Sequence, residues 1–173
     1  MYTRRRGKEQ LIVGVYVDDL IVTGARPKDI SAFNEEMAAR FQMSDLGVLS
    51  YYLGIEVKQG KEKVTLGQRA YMLKLLERAE MTGYKPMATP MEERVKLSKN
   101  STGARVDATR YRSIVGGLRW LTHTRPNITF AVGYVSRFLE DPPEDHWTVV
   151  KRVLRYVQGS LDTGVVFPRR GGF

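Results

Sequence analysis

Apolar and polar positions near the start of the chain predict a β-hairpin followed by an amphipathic helix. Residues 10–22 are mainly apolar or β-branched and are interrupted by one acidic pair, which is typical of two strands joined by a tight turn. Apolar side chains then recur at helical spacing over residues 29–41. The apolar stripe of this helix, which we expect to pack in the core, consists of Ile30, Phe33, Met37 and Phe41.

The middle of the chain repeats this order and then changes character. A second hairpin is predicted over residues 49–66, with its turn at residues 60–62, and an amphipathic helix over residues 68–81. Residues 82–106 combine prolines, glycines and many polar side chains, which predicts a linker between two lobes. The buried face of the helix is expected to hold Tyr71, Met72, Leu75, Leu76 and Ala79.

Three helices and a short strand at residues 165–167 are predicted after the linker. Asp107 and Asn127 are expected to cap the first two helices, because a side-chain oxygen at the N-cap accepts from a free backbone N–H. The third helix begins after two prolines, a typical start signal. The predicted helical bounds are 107–122, 127–139 and 144–158.

These elements predict an α+β chain in two parts, residues 1–81 and residues 107–173, joined by the linker over residues 82–106. With 173 residues and 42% hydrophobic side chains, the chain is long enough to bury a core. Cysteine is absent, so disulfides and thiolate metal sites are excluded.

The charge balance predicts a polyanionic partner. The net charge is +9, which is typical of proteins that contact phosphate backbones. No run of about eighteen apolar residues suggests a membrane span, and no secretory leader is recognised, so we expect an intracellular protein of the nucleus or cytoplasm. The basic cluster at residues 4–8 could be a localisation or phosphate-binding patch, although such a terminal cluster is more often simply solvated.

The acidic pair in the first hairpin is the strongest chemical signal. Asp18 and Asp19 stand between two apolar runs, so they are predicted at the tip of the hairpin, where the alternation of strand side chains breaks down. Two adjacent carboxylates at an exposed tip suit Mg²⁺, a hard cation that prefers oxygen ligands. The alternative is an ordinary turn, because Asp is a common turn residue.

The surrounding sequence resembles the reverse transcriptases of Ty1/copia-type retroelements. Residues Tyr16-Val-Asp-Asp19 form a YxDD motif, and the following Leu20-Ile-Val-Thr-Gly24 is similar to its continuation in that family. The similarity extends over about residues 11–167. Further matching stretches, in the same order as in the family, include Met43-Ser-Asp-Leu-Gly47, Tyr51-Tyr-Leu-Gly-Ile-Glu-Val57, Thr89-Pro-Met91, Tyr111-Arg-Ser-Ile-Val-Gly116 and Thr124-Arg-Pro126.

This resemblance implies part of a polymerase palm over residues 1–81, with its two hairpins and helix, and a helical thumb-like lobe over residues 107–173. Asp18 and Asp19 would then be catalytic metal ligands, with Mg²⁺ as cofactor. The family places a third aspartate and the fingers upstream of the YxDD hairpin, and the fifteen residues before Tyr16 contain no Asp. The resemblance therefore implies an incomplete catalytic set, weak or absent Mg²⁺ binding, and no polymerase activity of the isolated chain.

Two segments are implied to touch nucleic acid. The hairpin at residues 51–66 corresponds to the primer grip of the family, although Gly54 by itself suggests a β-bulge. The helix that carries Arg112, Gly116 and Trp120 is similar to the thumb helix that lies along the minor groove of the template-primer. The alternative for Trp120 is a core position, which is common for tryptophan on an apolar face.

Basic side chains on the C-terminal helices extend this prediction. Arg119 and, on the last helix, Lys151, Arg152 and Arg155 are candidates for contact with phosphates, and the last three share one helical face. The alternative is a solvated basic face. We therefore predict binding of RNA–DNA or DNA duplex.

Two other functions remain open from the sequence. A domesticated or relic chain could serve as a protein–protein interaction module, forming a homodimer or binding a protein partner at the palm face. A polymerase completed in trans would instead receive its fingers and third aspartate from another chain.

Overall fold

In the computed structural model, which describes residues 1–7 and 9–169, the fold is mixed α/β with two antiparallel sheets and five α-helices. The chain forms two compact units, an N-terminal unit Met1–Leu49 and a C-terminal unit Ser50–Phe173. The predicted α+β class is confirmed at this level. None of the helices in the described residues is long and apolar enough to cross a membrane.

The N-terminal unit contains a three-stranded sheet in the order β1-β2-β3. Its strands are β1 Tyr2–Arg6, β2 Glu9–Tyr16 and β3 Asp19–Gly24. The β2-β3 hairpin confirms the first predicted hairpin. Strand β1 was not predicted, because a run of arginines looks solvated in sequence; its backbone nevertheless pairs with β2, with Tyr2 opposite Val13 and Arg5 opposite Gln10.

Helix α1, Pro27–Arg40, packs beside β3, and Arg26 fixes its start. The guanidinium of Arg26 contacts Glu9 at 2.6 Å and Asp29 at 2.8 Å, so the loop before the helix is tied to both β2 and the first helical turn. The prediction that the apolar stripe of α1 packs in a core is wrong for Phe41, which is 57% exposed. No side chain of α1 is fully buried, because the described sheet covers one side of the helix incompletely.

The C-terminal unit contains a four-stranded sheet in the order β4-β5-β6-β7. Its strands are β4 Tyr51–Tyr52, β5 Ile55–Gln59, β6 Lys63–Gly67 and β7 Val165–Pro168. Leu53 and Gly54 have φ angles of 49° and 82°, so they form a two-residue hairpin turn rather than the bulge suggested for Gly54. Gly164 lets β7 approach β6, because a Cβ there would collide with the carbonyl oxygen of Leu66.

Four helices of this unit share one apolar core. They are α2 Arg69–Arg78, α3 Ala108–Leu121, α4 Thr129–Val135 and α5 Glu144–Gln158, with a 3-10 turn at Pro126–Ile128 before α4. The bounds predicted for α5 are confirmed. The largest apolar side chains buried in the core include Met72, Leu75, Leu76, Tyr111, Ile114, Leu118, Leu121, Ile128 and Leu154.

Of the two predicted helix caps, one is confirmed. The Asp107 carboxylate accepts the Thr109 backbone N–H at 2.7 Å. Asn127 is not a cap: it lies inside the 3-10 turn, and its side-chain amide donates to the Tyr156 hydroxyl instead. The predicted helix over residues 127–139 is accordingly shorter.

The segment predicted as a linker lies within the C-terminal unit. Val95 and Leu97 pack against the helical core, and the Leu97 backbone N–H donates to the Tyr134 hydroxyl at 3.0 Å. The boundary between the compact units lies instead at Leu49 and Ser50. The prolines and glycines of residues 82–106 are consistent with the irregular backbone of this segment. The apolar side chains scattered along the segment nevertheless pack against the helices.

Candidate functional site

The turn that carries the acidic pair has an unusual backbone. Tyr16 pairs with Asp19 across the β2-β3 hairpin, so Val17 and Asp18 are the two turn residues. Val17 has φ 51°, a left-handed conformation that β-branched residues rarely adopt. Such strain costs on the order of 1–3 kcal/mol and persists where the surrounding structure enforces it, often at functional sites. Here the six paired positions of β2 and β3 hold the turn.

The two carboxylates at this tip are available for binding. Asp18 and Asp19 are exposed, and neither side-chain carboxylate makes a hydrogen bond or ion pair with another described residue. Adjacent free carboxylates fit one hard cation that keeps several water ligands. The described residues contain no group of three or more acidic, His or Cys side chains that could hold a metal ion, so the pair is not completed by a further ligand there.

The second candidate surface is one face of α3 in the C-terminal unit. The opposite face of the helix is buried and includes Tyr111, Ile114 and Leu118. The exposed face presents a continuous row of side chains, which we call the α3 stripe. It consists of Arg112, Gly116, Arg119 and Trp120 on the helix and of His123, which follows the C-cap residue Thr122.

Two consecutive glycines in α3 have different roles. A Cβ atom added to Gly117 would lie 2.5 Å from Leu75 Cδ1 and 2.9 Å from an Arg78 guanidinium nitrogen, so Gly117 permits the close crossing of α2 and α3. A Cβ atom added to Gly116 would meet nothing within 4 Å. Gly116 is therefore not required by packing. It leaves the helix backbone uncovered at the middle of the α3 stripe.

Trp120 belongs to the surface and not to the core. Its side chain is 37% exposed, and its ring meets His123 edge to face at 4.9 Å between centroids. The indole also lies against the β4-β5 turn, because a Cβ at Gly54 would be 3.5 Å from the Trp120 Nε1. The structure thus brings the turn of the second hairpin beside the α3 stripe.

The two arginines of the α3 stripe differ in their attachments. The Arg112 guanidinium donates to the Leu139 carbonyl at 3.1 Å and to the Thr109 hydroxyl at 3.3 Å. These bonds use part of its donor set and hold the side chain at the surface. The Arg119 side chain is exposed and has no hydrogen bond or ion pair within the described part of the chain.

Comparison with known proteins identifies the family. The sequence pattern of reverse transcriptase (RNA-dependent DNA polymerase) matches residues 1–93, more than half of the chain. The chain is a copia-type reverse transcriptase region. It is 39% identical over 171 residues to the retrovirus-related Pol polyprotein from transposon RE2 of Arabidopsis thaliana, and 36% identical over 166 residues to that from transposon TNT 1-94 of Nicotiana tabacum.

These alignments cover 99% and 91% of this chain but 12% of each polyprotein. An uncharacterised mitochondrial protein of Arabidopsis thaliana is 37% identical over 151 residues, which are 87% of this chain and 62% of that protein. No solved structure is significantly similar to the chain.

In this reverse transcriptase chain, the basic residues predicted on α5 have intramolecular partners. Lys151 Nζ lies 2.9 Å from Glu144, and the Arg152 guanidinium contacts Glu92 at 2.6 Å. The Arg155 Nε donates to the Lys85 carbonyl at 2.7 Å. Two of these three residues therefore anchor the segment that precedes α3, a role that a sequence pattern of basic residues could not reveal.

Buried polar residues of the C-terminal unit were missed by sequence reasoning. Arg125 is fully buried, and its guanidinium donates to the Ser160 carbonyl at 2.9 Å and to the Ser160 hydroxyl at 2.7 Å. Burial lowers the pKa of Arg125, while the nearby Tyr156 raises it. This arginine, which precedes the 3-10 turn, is thereby tied to Ser160, just after the end of α5. Its place between Thr124 and Pro126, in a motif of the family, was the available signal.

His146 and Tyr111 are two further buried groups. The His146 ring packs on Phe138 with centroids 4.2 Å apart, and neither ring nitrogen makes a hydrogen bond of normal geometry with a described residue. Burial is the main cause that lowers the pKa of His146. The Tyr111 hydroxyl donates to the Val135 carbonyl at 3.0 Å, and burial raises the pKa of Tyr111. Both side chains are buried and pack among the helices of the C-terminal unit.

Proposed function

We propose that this reverse transcriptase chain binds nucleic-acid duplex through the α3 stripe. The observation that carries the proposal is Gly116, an exposed helical glycine with open space above it, placed one turn from both Arg112 and Trp120. Glycine in a helix interior costs about 1 kcal/mol relative to alanine. A glycine that no neighbour requires is therefore best explained by close approach of an external partner.

The chemistry of the α3 stripe suits a sugar–phosphate backbone. Arg112 and Arg119 supply charge for phosphates, Trp120 offers a flat surface to sugars, and Gly116 lets the helix backbone approach. The β4-β5 turn at Gly54 stands beside Trp120 and would widen the contact along a groove. None of these groups is arranged to read base edges, so binding is expected to be independent of sequence.

We propose in addition that Asp18 and Asp19 hold Mg²⁺ weakly when the chain is alone. A bound Mg²⁺ would supply positive charge that stabilises a phosphate in transfer. Two-metal phosphoryl transfer needs ligands beyond one carboxylate pair, and the described residues provide no third ligand near it. The chain by itself is therefore expected not to extend a primer. Polymerase activity would require another segment or another chain to supply the remaining metal ligands.

Fluorescence anisotropy with a labelled RNA–DNA hybrid tests the duplex proposal. We expect saturable binding at low salt, and log K should fall by about 0.9 for each phosphate contacted per tenfold rise in salt. Replacing Arg119 with Gln should reduce the steepness of this salt dependence by the amount expected for about one phosphate contact. The reduction should be the same for every nucleic-acid sequence tested. Arg40→Gln on α1, an exposed arginine outside the stripe, is the matched control. Absence of binding at low salt would disprove the proposal.

A second candidate function, protein–protein interaction, is favoured by the surface of the N-terminal unit. Leu46 is 91% exposed, and Phe41, Val17 and Val48 are also exposed large apolar side chains, which a protein partner would cover. Strand β1 carries Arg4 and Arg5, and charge on an edge strand opposes pairing with a second sheet. Light scattering at tens of micromolar concentration distinguishes a dimer from a monomer; a strict monomer would count against self-association.

A further inference from the structure

A groove lies between α5 and the segment that crosses it, which we call the strap and define as residues 84–95. Three side chains of α5 hold the strap: Arg152 contacts Glu92 at 2.6 Å, Arg155 bonds the Lys85 carbonyl at 2.7 Å, and Gln158 bonds the Tyr84 carbonyl at 2.7 Å. The groove is open to solvent along one side and has a volume of about 380 Å³. This volume lies within the range of pockets that bind small ligands, about 300–1,000 Å³.

The lining of the groove carries an excess of positive charge. Lys151, Arg152 and Arg155 face one carboxylate, that of Glu92. Arg152 is engaged with Glu92, but the two terminal guanidinium nitrogens of Arg155 make no hydrogen bond or ion pair with a described residue. Lys151 is in an exposed pair with Glu144, and such pairs contribute little and exchange readily. Arg155 and Lys151 are one helical turn apart and can both reach one anionic group.

The rest of the lining is apolar or aromatic. Met81 and Val149 are buried in the floor, and the Tyr84 ring, 53% exposed, stands at the rim. A bare inorganic anion would leave this floor and the tyrosine ring unused. An anion attached to a flat, largely apolar ring would use both parts of the groove, with its ring against Tyr84 and its charge beside Lys151 and Arg155.

We propose that this groove binds one nucleotide unit, a heteroaromatic base that carries a phosphate. A free nucleoside monophosphate and an unpaired nucleotide of a single strand present this same chemistry, and the experiment below distinguishes the two sources. The groove is formed by α5 and the strap and does not include the α3 stripe, so this binding goes beyond the duplex contact proposed above.

Isothermal titration of the full chain tests the proposal with four probes: a nucleoside 5′-monophosphate, the matching nucleoside, inorganic phosphate and a short single-stranded oligonucleotide. We expect the monophosphate to bind with a Kd below about 1 mM, at least tenfold tighter than either the nucleoside or phosphate. Tighter binding of the oligonucleotide would identify a strand as the source of the unit, and tighter binding of the monophosphate would identify the free nucleotide.

Two variants separate charge from shape. Lys151→Gln should weaken monophosphate binding about tenfold, and Thr148→Phe, which fills the groove from an exposed position of α5, should abolish it. Lys74→Gln, an exposed lysine on α2 that does not line the groove, is the control and should bind like the wild type. Each variant is checked by a thermal melt.

Equal affinity for phosphate and for the monophosphate would overturn the proposal, because it would show a simple anion patch. Unchanged binding in a folded Thr148→Phe variant would also overturn it. Duplex binding measured by anisotropy should be unaffected by Thr148→Phe, and nucleotide binding should be unaffected by Trp120→Ala. The two proposed functions can therefore fail independently.

Discussion

The indole of Trp120 rests on the backbone of Gly54, with the Nε1 atom 3.5 Å from the position of a Cβ on that glycine. Gly54 has φ 82°, so the turn reaches this contact with a backbone conformation that side chains rarely permit. The contact joins a hairpin turn to the exposed face of a helix, between residues 54 and 120 of the chain. Neither partner is buried in the core, which makes the contact a feature of the surface.

The two tryptophans allow surface and core to be compared directly. Trp120→Ala should weaken hybrid binding with a small change in melting temperature, because the side chain is partly exposed. Trp147→Ala should cost about 3–5 kcal/mol of stability, because Trp147 is 9% exposed and contacts Tyr111 in the core. Anisotropy and thermal melts of both variants decide the matter. A large loss of stability in Trp120→Ala would contradict the surface assignment.

The adjacent glycines of α3 give a second matched pair. Gly116→Ala should stabilise the fold by about 0.4–1 kcal/mol, because alanine is the better helix former and its methyl group meets open space. The same change should weaken duplex binding by keeping the helix away from the backbone. Gly117→Ala should destabilise by about 1–3 kcal/mol, because its methyl group would overlap Leu75.

Urea denaturation and anisotropy of these two glycine variants provide the measurement. If a folded Gly116→Ala variant binds duplex with unchanged affinity, Gly116 no longer supports placing the nucleic acid on the α3 stripe. A Gly117→Ala variant as stable as the wild type would show that the Leu75 side chain can move to make room for the methyl group, which contradicts the predicted loss of stability.

Stability should depend on pH through His146. Burial lowers the pKa of this side chain below its ordinary value of 6.5, so the unfolded chain takes up a proton at a higher pH than the folded chain does. The free energy of unfolding should be insensitive to His146 above pH 6.5 and should fall as the pH decreases below that value. Among the charged neighbours, Asp145 raises the pKa and Arg105 lowers it.

Chemical denaturation between pH 5 and 8, the interval in which histidine titrates, measures this dependence. His146→Gln should remove the part of the acid-induced loss of stability that His146 causes. His123→Gln, a change at an exposed position, is the control variant. An unchanged pH profile in a folded His146→Gln variant would show that the buried imidazole is not responsible.

The acidic hairpin should bind a divalent cation weakly and without catalysis. Mn²⁺ titration followed by water proton relaxation should show a site that is lost in the double variant Asp18→Asn, Asp19→Asn. Replacing the adjacent acidic pair of α1, Glu35→Gln with Glu36→Gln, should leave the Mn²⁺ site intact. In a primer-extension assay with Mg²⁺ or Mn²⁺ we expect no product, and template-directed synthesis that Asp18→Asn abolishes would disprove the prediction of inactivity.

Local patterns predicted most of the elements of this chain. The bounds of α5 follow from two prolines and an apolar period, and the β2-β3 hairpin follows from the apolar runs around Asp18 and Asp19. Strand β1 escaped prediction because its arginines resemble a solvated tail, and its pairing depends on β2. Periodicity reports what a segment prefers by itself.

The same limit explains what was missed at the candidate sites. Arg152 and Arg155 are predicted phosphate ligands, but the sequence could not show that they also hold Glu92 and the Lys85 carbonyl, which lie 60 and 70 residues away. The burial of Arg125 was not predicted, because its partner Ser160 lies 35 residues later in the chain. The sequence left open whether Trp120 lies in the core or at the surface, because its burial depends on which other elements pack against α3. In the structure Trp120 lies at the surface.

Strand β7 has a consequence for the order of folding. Its residues pair with β6, with Val165 opposite Leu66, so completing this sheet closes a loop of about a hundred residues. Such a closure is entropically costly unless α2 to α5 have already brought its ends together. The helical core should therefore form first, and amide hydrogen exchange should show β6 and β7 opening at lower free energy than α3 and α5. On this expected order, the close packing of Gly164 against the Leu66 carbonyl forms only after the helical core.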